Sequence, residues 1–373
     1  MRRKKITYIG FLEGGNLGDE AIYLASQIAF RPYELVPDYR RHGHQCSRVT
    51  LFGGGTLLPL ISLWTRPNMY NYAFGVGVEV LEFWSEFFPE QVIEKVKRFD
   101  FRLLGVRGEM SREMLKGWGI ASEVVGDPCL ILEPESYIKK KDDLIVLNIS
   151  SMHRIWGKNR EWILRETANL SKSLKREGYS VVLLPFCGED LSCIKKVSKL
   201  ANVEVFDDWK DIHATINFIA SSRVLIGERL HSSIFSAATY TPFIMIAYRP
   251  KCYDFADTMG FRKYAVRTDQ MRSEGVMELL SDLMENWDDL HKQLEVSVGT
   301  YRRRLRDFAA RITEDIELLP NDKWSTPSIL QNIKWRASQQ TDRVLHYKAY
   351  MIWRAWHRFK SVHVRTNEGE SST

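Results

Sequence analysis

The feature that most constrains this chain is a rhythm: short apolar runs, each holding or touching a glycine, alternate with longer helix-like stretches. In the first half the runs are Ile6–Phe11, Val49–Phe52, Ala73–Val78 and Leu103–Val106, with helical patterns such as Glu90–Arg98 and Ser111–Trp118 between them. Ser111 reads as an N-cap and Gly119 as a C-terminal stop. A polar interval from Glu133 to Asp143 breaks the pattern and reads as a linker. The rhythm then restarts, with strands expected at Leu144–Ile149, Val181–Pro185, Val203–Phe206, Val224–Ile226 and Phe243–Ala247. The helices expected among them are Trp162–Arg176, Leu191–Leu200 and Ile212–Ala220. The stretch around Arg267 gives no clear turn signal. Val276 to Ile316 looks mostly helical and suits a segment packed across both halves. Alternation of this kind is the pattern of βα units and parallel sheets. The expected fold class is α/β, with two Rossmann-like domains facing across a cleft. The expected boundaries are 1–138, 139–320 and a helical C-terminal extension, 321–373.

Bulk properties narrow the class. Among 373 residues, 44% are hydrophobic and 27% charged, near globular averages. The five cysteines, Cys46, Cys129, Cys187, Cys193 and Cys252, include no Cys-x-x-Cys pair. Neither a disulfide framework nor a zinc ribbon is expected, and reduced thiols in a cytoplasmic protein are the default. Met1-Arg2-Arg3-Lys4-Lys5 is basic, but the apolar run after it is short and contains Gly10, so a first strand explains it better than a signal sequence. No segment approaches the roughly 18 apolar residues of a spanning helix. The net charge of +6 suits an anionic substrate, a nucleic acid or a membrane surface alike.

Open α/β sheets bind ligands at the C-terminal ends of their strands, so residues just past the strands are the candidates. Gly14-Gly15-Asn16-Leu17-Gly18-Asp19-Glu20 follows the first strand and opens a helix. Glycines allow close backbone approach, and a helix N-terminus offers free N–H groups. A structural turn with Asp19 helping to cap the helix would read the same. Gly53-Gly54-Gly55-Thr56 follows the next strand and leaves room at the sheet's edge, either for a ligand or for tight helix packing. Arg107 stands just past Leu103–Val106, where a guanidinium can pair bidentately with a carboxylate or phosphate.

The richest local motif is Gly227-Glu228-Arg229-Leu230-His231. Arg229 and His231 are two apart, so an extended segment would point them the same way. An arginine holds an anion, and a histidine moves a proton near neutral pH. Tyr248-Arg249-Pro250-Lys251 follows the next strand and brings Lys251 to the same rim. Other features read as structure. Phe83, Trp84, Phe87 and Phe88 suit a core or interface face. Asp207, Asp208 and Asp211 lack the spacing of a calcium loop. His42 and His44 sit in a basic loop without partners. No metal and no cofactor are expected.

In this order, Gly15-Asn16-Leu17-Gly18-Asp19-Glu20, Gly53-Gly54-Gly55-Thr56, Val106-Arg107 with Ser111, Gly126-Asp127-Pro128, Arg229-Leu230-His231, and Pro242 followed by Tyr248 and Lys251 resemble the polysaccharide pyruvyl transferase family. The resemblance covers residues 5 to 265. It implies a fold similar to the glycosyltransferase B architecture. It also implies transfer of pyruvate from phosphoenolpyruvate onto a sugar of an exported or cell-envelope glycan, or a lipid-linked form of it, as a ketal. By resemblance, Arg107, Arg229 and His231 would hold phosphoenolpyruvate with help from Lys251. Asn16, Asp19, Gly54 and Gly55 would face the acceptor. Protonation of the alkene carbon calls for a general acid, and His231 is the natural choice. Asp19 or Asp127 could accept a proton from the sugar. A glycosyltransferase using a nucleotide sugar on the same architecture is the alternative.

Beyond residue 320 the chain interleaves basic residues (Lys334, Arg336, Arg343, Lys348, Arg354, Arg358) with Trp335, Tyr347, Trp353 and Trp356. A basic aromatic helix of this kind suits peripheral contact with an anionic membrane, or packing back on the protein. Nucleic acid is not an expected partner, because the glycine loops and Arg229-Leu230-His231 would then have no role.

Overall fold

The computed structural model describes residues 4–12, 14–38, 47–58, 69–78, 93–94, 96–97, 99–136, 138–152 and 154–320. Cys46, His42, His44, the aromatic group Phe83 to Phe88, most of the helix expected at Glu90–Arg98 and the basic extension lie outside the described residues.

Two six-stranded parallel sheets make up the described chain. The first contains β1 (Lys5–Ile9), β2 (Glu34–Pro37), β3 (Val49–Gly53), β4 (Tyr70–Val76), β5 (Phe101–Val106) and β6 (Glu123–Val124), in the order β2-β1-β3-β4-β5-β6. The second contains β7 (Lys141–Asn148), β8 (Ser180–Leu183), β9 (Glu204–Val205), β10 (Ser222–Gly227), β11 (Phe243–Ala247) and β12 (Ala265–Arg267), in the order β12-β11-β10-β7-β8-β9. Each order reverses direction once, between β1 and β3 in one sheet and between β7 and β10 in the other. Loops leaving the two strands at such a point diverge, and the crevice between them is where open α/β sheets bind ligands.

Continuous burial explains why the central strands were legible. All five residues of β3 and all five of β11 are buried, as expected where helices cover both faces. The short edge strands β2, β6 and β12 are part-exposed and carry little apolar signal. The linker expected to Asp143 ends earlier, because β7 begins at Lys141 and its first three residues are exposed.

Helix α1 (Leu17–Ala29) buries Leu17, Ala21, Ile22 and Ala25 on one face, and α2 is Glu109–Gly117. In the second domain come α3 (Arg160–Arg176), α4 (Leu191–Ala201), α5 (Ile212–Ser221), α6 (Leu230–Ala238), α7 (Pro250–Met259) and α8 (Ser273–Glu285). The sequence pointed to Ser111 as the cap of α2. Gly108 stands at that position instead, and Ser111 lies within the helix, its hydroxyl accepting a hydrogen bond from the Val78 amide at 3.0 Å. The cap comes from the other domain: an Asp254 carboxylate oxygen on α7 accepts from the Met110 amide at 3.0 Å.

Helix α9 (Trp287–Glu317), at 31 residues about 46 Å long, packs across both domains. Its Asp315 accepts hydrogen bonds from Tyr72 on β4 and Arg102 on β5. Buried Arg302 donates to the carbonyls of Leu130 at 2.7 Å, Leu132 at 3.0 Å and Ala238 at 2.9 Å, and to the Tyr240 hydroxyl. Those carbonyls terminate a 3-10 turn (Pro128–Ile131) and α6, two elements whose opposite ends carry Asp127 and His231. No described helix is long and apolar enough to cross a membrane.

Candidate functional site

A cavity of about 280 Å³ lies where the two crevices meet, lined from the first domain by Phe11, Asn16, Asp19, Gly55, Thr56 and Arg107. The second domain contributes Met152, Phe186, Arg229, Leu230, His231, Tyr248, Arg249 and Lys251. Of the residues singled out from sequence, Arg107, Arg229, His231, Lys251, Asn16, Asp19 and Gly55 come together here. Gly54 does not line the cavity. Its φ is +23°, and a Cβ there would meet Ile22 of α1 at 2.6 Å, so it serves helix packing.

Three helices start at this cavity. Asn16 caps α1, its side-chain oxygen accepting from the Gly18 amide at 3.1 Å while its amide nitrogen donates to Asp19 at 2.7 Å. Arg229 is the N-cap of α6 and Arg249 that of α7, neither with a side-chain cap hydrogen bond. Arg229 and His231 therefore do not sit in one extended segment. Arg229 precedes the helix and His231 is in its first turn, and the turn still brings both to the cavity. Helix N-termini and cationic side chains act in the same direction, favouring a bound anion.

The arginines are held from behind. Arg107 is buried and its Nη1 lies 3.4 Å from an Asp127 carboxylate oxygen. The other Asp127 oxygen accepts from the Cys129 amide at 3.0 Å. Arg229 donates through Nε and Nη2 to the two oxygens of buried Asp190, at 3.0 and 2.6 Å. Its backbone amide donates to the Asn148 side chain at 2.8 Å, and Asn148 donates to the Leu184 carbonyl, tying the ends of β7, β8 and β10 together. Buried Glu228, next in sequence, accepts from Arg160 and from the Ser150 amide, so it braces the neighbouring loop.

His231 is nearly enclosed. Its Nε2 has no hydrogen-bond partner among the described residues, and the closest carboxylate oxygen, on Asp127, is 3.9 Å away. Burial pushes its pKa down to about 4, with Asp127 opposing and Arg107, Lys251 and Arg229 reinforcing the fall. Asp19 shows the opposite displacement. Burial pushes its carboxyl up to about 7, against the pull of Lys251 and Arg229. Two titratable groups whose environments drive them past each other are a mark of acid–base sites. Asp127, Cys129 and His231 also place three potential metal-ligand atoms within 4.8 Å of one another. The cation beside that carboxylate is the Arg107 guanidinium.

The backbones of the two domains are joined at the site. The Leu17 amide donates to the Phe186 carbonyl at 2.8 Å, and Asn16 pairs with Cys187 in an isolated antiparallel bridge. Sequence reasoning did not single out Phe11, Met152, Arg249, Asn148 or Asp190. Asp190 had a usable signal, since Gly188-Glu189-Asp190 follows the expected strand Val181–Pro185 just as Arg107 follows its own. Phe11 and Met152 had none, being apolar residues in loops.

The family model for polysaccharide pyruvyl transferase matches residues 16–250, more than half of the chain. No curated protein matches the sequence. Among solved structures, the chain is similar to S. aureus MnaA in complex with UDP, with a TM-score of 0.54 and 13% identity over 87% of this chain and 99% of that one. It is also similar to the UDP-GlcNAc 2-epimerase from Neisseria meningitidis bound to UDP-GlcNAc, with a TM-score of 0.51 and 10% identity over 84% and 99%. These are likenesses of fold, two parallel-sheet α/β domains in the glycosyltransferase B arrangement.

Proposed function

From the chain's membership of the polysaccharide pyruvyl transferase family, we propose that it transfers pyruvate from phosphoenolpyruvate to two hydroxyls of a glycan sugar, forming a ketal and releasing phosphate. The observation that carries this reading is the convergence of Arg107, Arg229, Arg249 and Lys251 on one cavity with the starts of α1, α6 and α7. A small donor with a carboxylate and a phosphate needs such a set of cationic donors. The same groups stabilise the departing phosphate.

The terminal alkene carbon of phosphoenolpyruvate takes a proton and becomes a methyl group. The neighbouring carbon accepts the oxygen of one sugar hydroxyl. The second hydroxyl then replaces phosphate at that carbon and closes the ring. One hydroxyl proton balances the proton added to the alkene, and the other leaves with phosphate. His231 is the proposed acid. Burial, with Arg107, Lys251 and Arg229 adding to it, holds it neutral, and the donor's negative charge would offset those cations and favour the protonated ring. Asp19 is the proposed base. It lines the same cavity, and a carboxyl tuned to about 7 takes a hydroxyl proton more readily than an ordinary aspartate.

The test is to incubate the protein with labelled phosphoenolpyruvate and a panel of hexosides, following phosphate release together with sugar modification. Coupled release and labelling support the reading. Turnover of a nucleotide sugar with none of phosphoenolpyruvate would replace it with glycosyl transfer.

A further inference from the structure

Asp190 is a buried carboxylate in the loop that follows β8, and the chemistry above makes no use of it. It is 0% exposed and accepts four hydrogen bonds. Two come from Arg229, through Nε at 3.0 Å and Nη2 at 2.6 Å. The other two come from the Ser151 amide at 2.9 Å and the Ser151 hydroxyl at 3.2 Å. The bidentate grip fixes the plane of the Arg229 guanidinium, leaving its Nη1 and the second hydrogen of Nη2 to the cavity that Arg229 lines. Asp190 lies a few residues after Phe186 and Cys187, whose backbones bond to Leu17 and Asn16. One short loop thus holds the arginine and also meets the loop that carries Asn16 and Asp19.

We propose that Asp190 is a positioning residue for the donor site, acting through Arg229 by holding its guanidinium in the orientation that receives an anionic group of phosphoenolpyruvate. The inference rests on the donor reading given above.

The electrostatics make it testable by sign. Asp190 is an anion beside an anion site. If its charge alone mattered, neutralising it would tighten phosphoenolpyruvate binding. A positioning role demands the reverse, because a guanidinium that has lost its bidentate partner is free to turn away from the anion it would receive. Asparagine keeps an oxygen for Ser151 while losing the charge and the paired grip on Arg229.

The experiment measures phosphoenolpyruvate affinity by titration calorimetry for wild type, Asp190→Asn, Arg229→Ala and the double variant. Circular dichroism checks that each is folded. The expected result is weaker binding in Asp190→Asn by tenfold or more, with no further loss when Asp190→Asn is added to Arg229→Ala. Unchanged or tighter binding in Asp190→Asn overturns the proposal. So does an equal additional loss in the Arg229→Ala background, which would mean that Asp190 supports the site by another route. Should Asp190→Asn fail to fold, Asp190→Glu replaces it and is read in the same cycle. Wild-type protein that binds no phosphoenolpyruvate defeats the donor reading itself, a separate result from either overturning outcome.

Discussion

Gly18 lies against the imidazole of His231, so closely that a Cβ built on Gly18 would stand 2.1 Å from His231 Nδ1. Part of the glycine spacing in the first loop is thus explained by a residue more than two hundred positions away. Substitution of Gly18 by alanine must displace the ring. We expect the folded variant to lose turnover by about 10²-fold or more, measured as phosphate release from phosphoenolpyruvate with acceptor. Gly14→Ala, with nothing within 4 Å of its new methyl, is the control and is expected to behave as wild type.

Donor binding is expected to draw a proton from solution. His231 is held down to about 4 by burial and by the three cations that would contact the donor. Neutralising those cations with phosphoenolpyruvate raises the histidine toward its ordinary range. Calorimetric titrations at pH 7 in buffers of different ionisation enthalpy should report net proton uptake in wild type and a smaller uptake in His231→Gln. Identical uptake in both would remove His231 as the acceptor of that proton.

The same two groups give opposing slopes to stability. For His231, the native pKa of about 4 lies below the unfolded value near 6.5, so the unfolded chain binds more protons between them and stability rises with pH across that window. The full effect is about 3 kcal/mol. For Asp19, the native value of about 7 lies above the unfolded value near 3.8, so stability falls with rising pH across that interval. Relative to wild type, Asp19→Asn should make urea stability climb more steeply from pH 4 to 6.5. His231→Gln should make it climb less or decline.

Arg302 should be among the costliest single positions outside the cavity. Its guanidinium satisfies three buried carbonyls from two elements. Arg302→Ala leaves them unpaired, and a loss of roughly 3 kcal/mol or more is expected by chemical denaturation. Arg303→Ala, one residue on and exposed, should change little.

The central strands were readable because β3 and β11, and β10 from Val224 on, are almost wholly apolar and end on or near a glycine or charged residue. β2 and β12 were missed because they are short, part-exposed edge strands with little apolar signal, whereas β9, also at an edge, was expected because Val203, Val205 and Phe206 stand together in sequence. The cap of α2 was misread for a different reason. Asp254 is 144 positions from the amide it caps, and local spacing offered Ser111 in its place. Of the cavity's cations, Arg107, Arg229 and Lys251 were legible from their place after strands, and Arg249 was not singled out. Asp127 was legible as part of Gly126-Asp127-Pro128, but its pairing with Arg107, and that of Asp190 with Arg229, are contacts that only the folded chain creates. Gly54 and Gly55 are adjacent and equivalent in sequence, yet one packs on Ile22 and the other lines the cavity.

The proposed donor site draws Arg107 from one sheet and Arg229, Arg249 and Lys251 from the other. Arg107 is already paired with Asp127 and Arg229 with Asp190, and contacts at Asp254, Arg302 and Leu17 tie the two domains together. A trianion held by cations of both domains would add a tie at the cavity itself. Phosphoenolpyruvate would then serve as mortar as well as reactant, and the departure of phosphate would loosen the joint at the moment the product must leave.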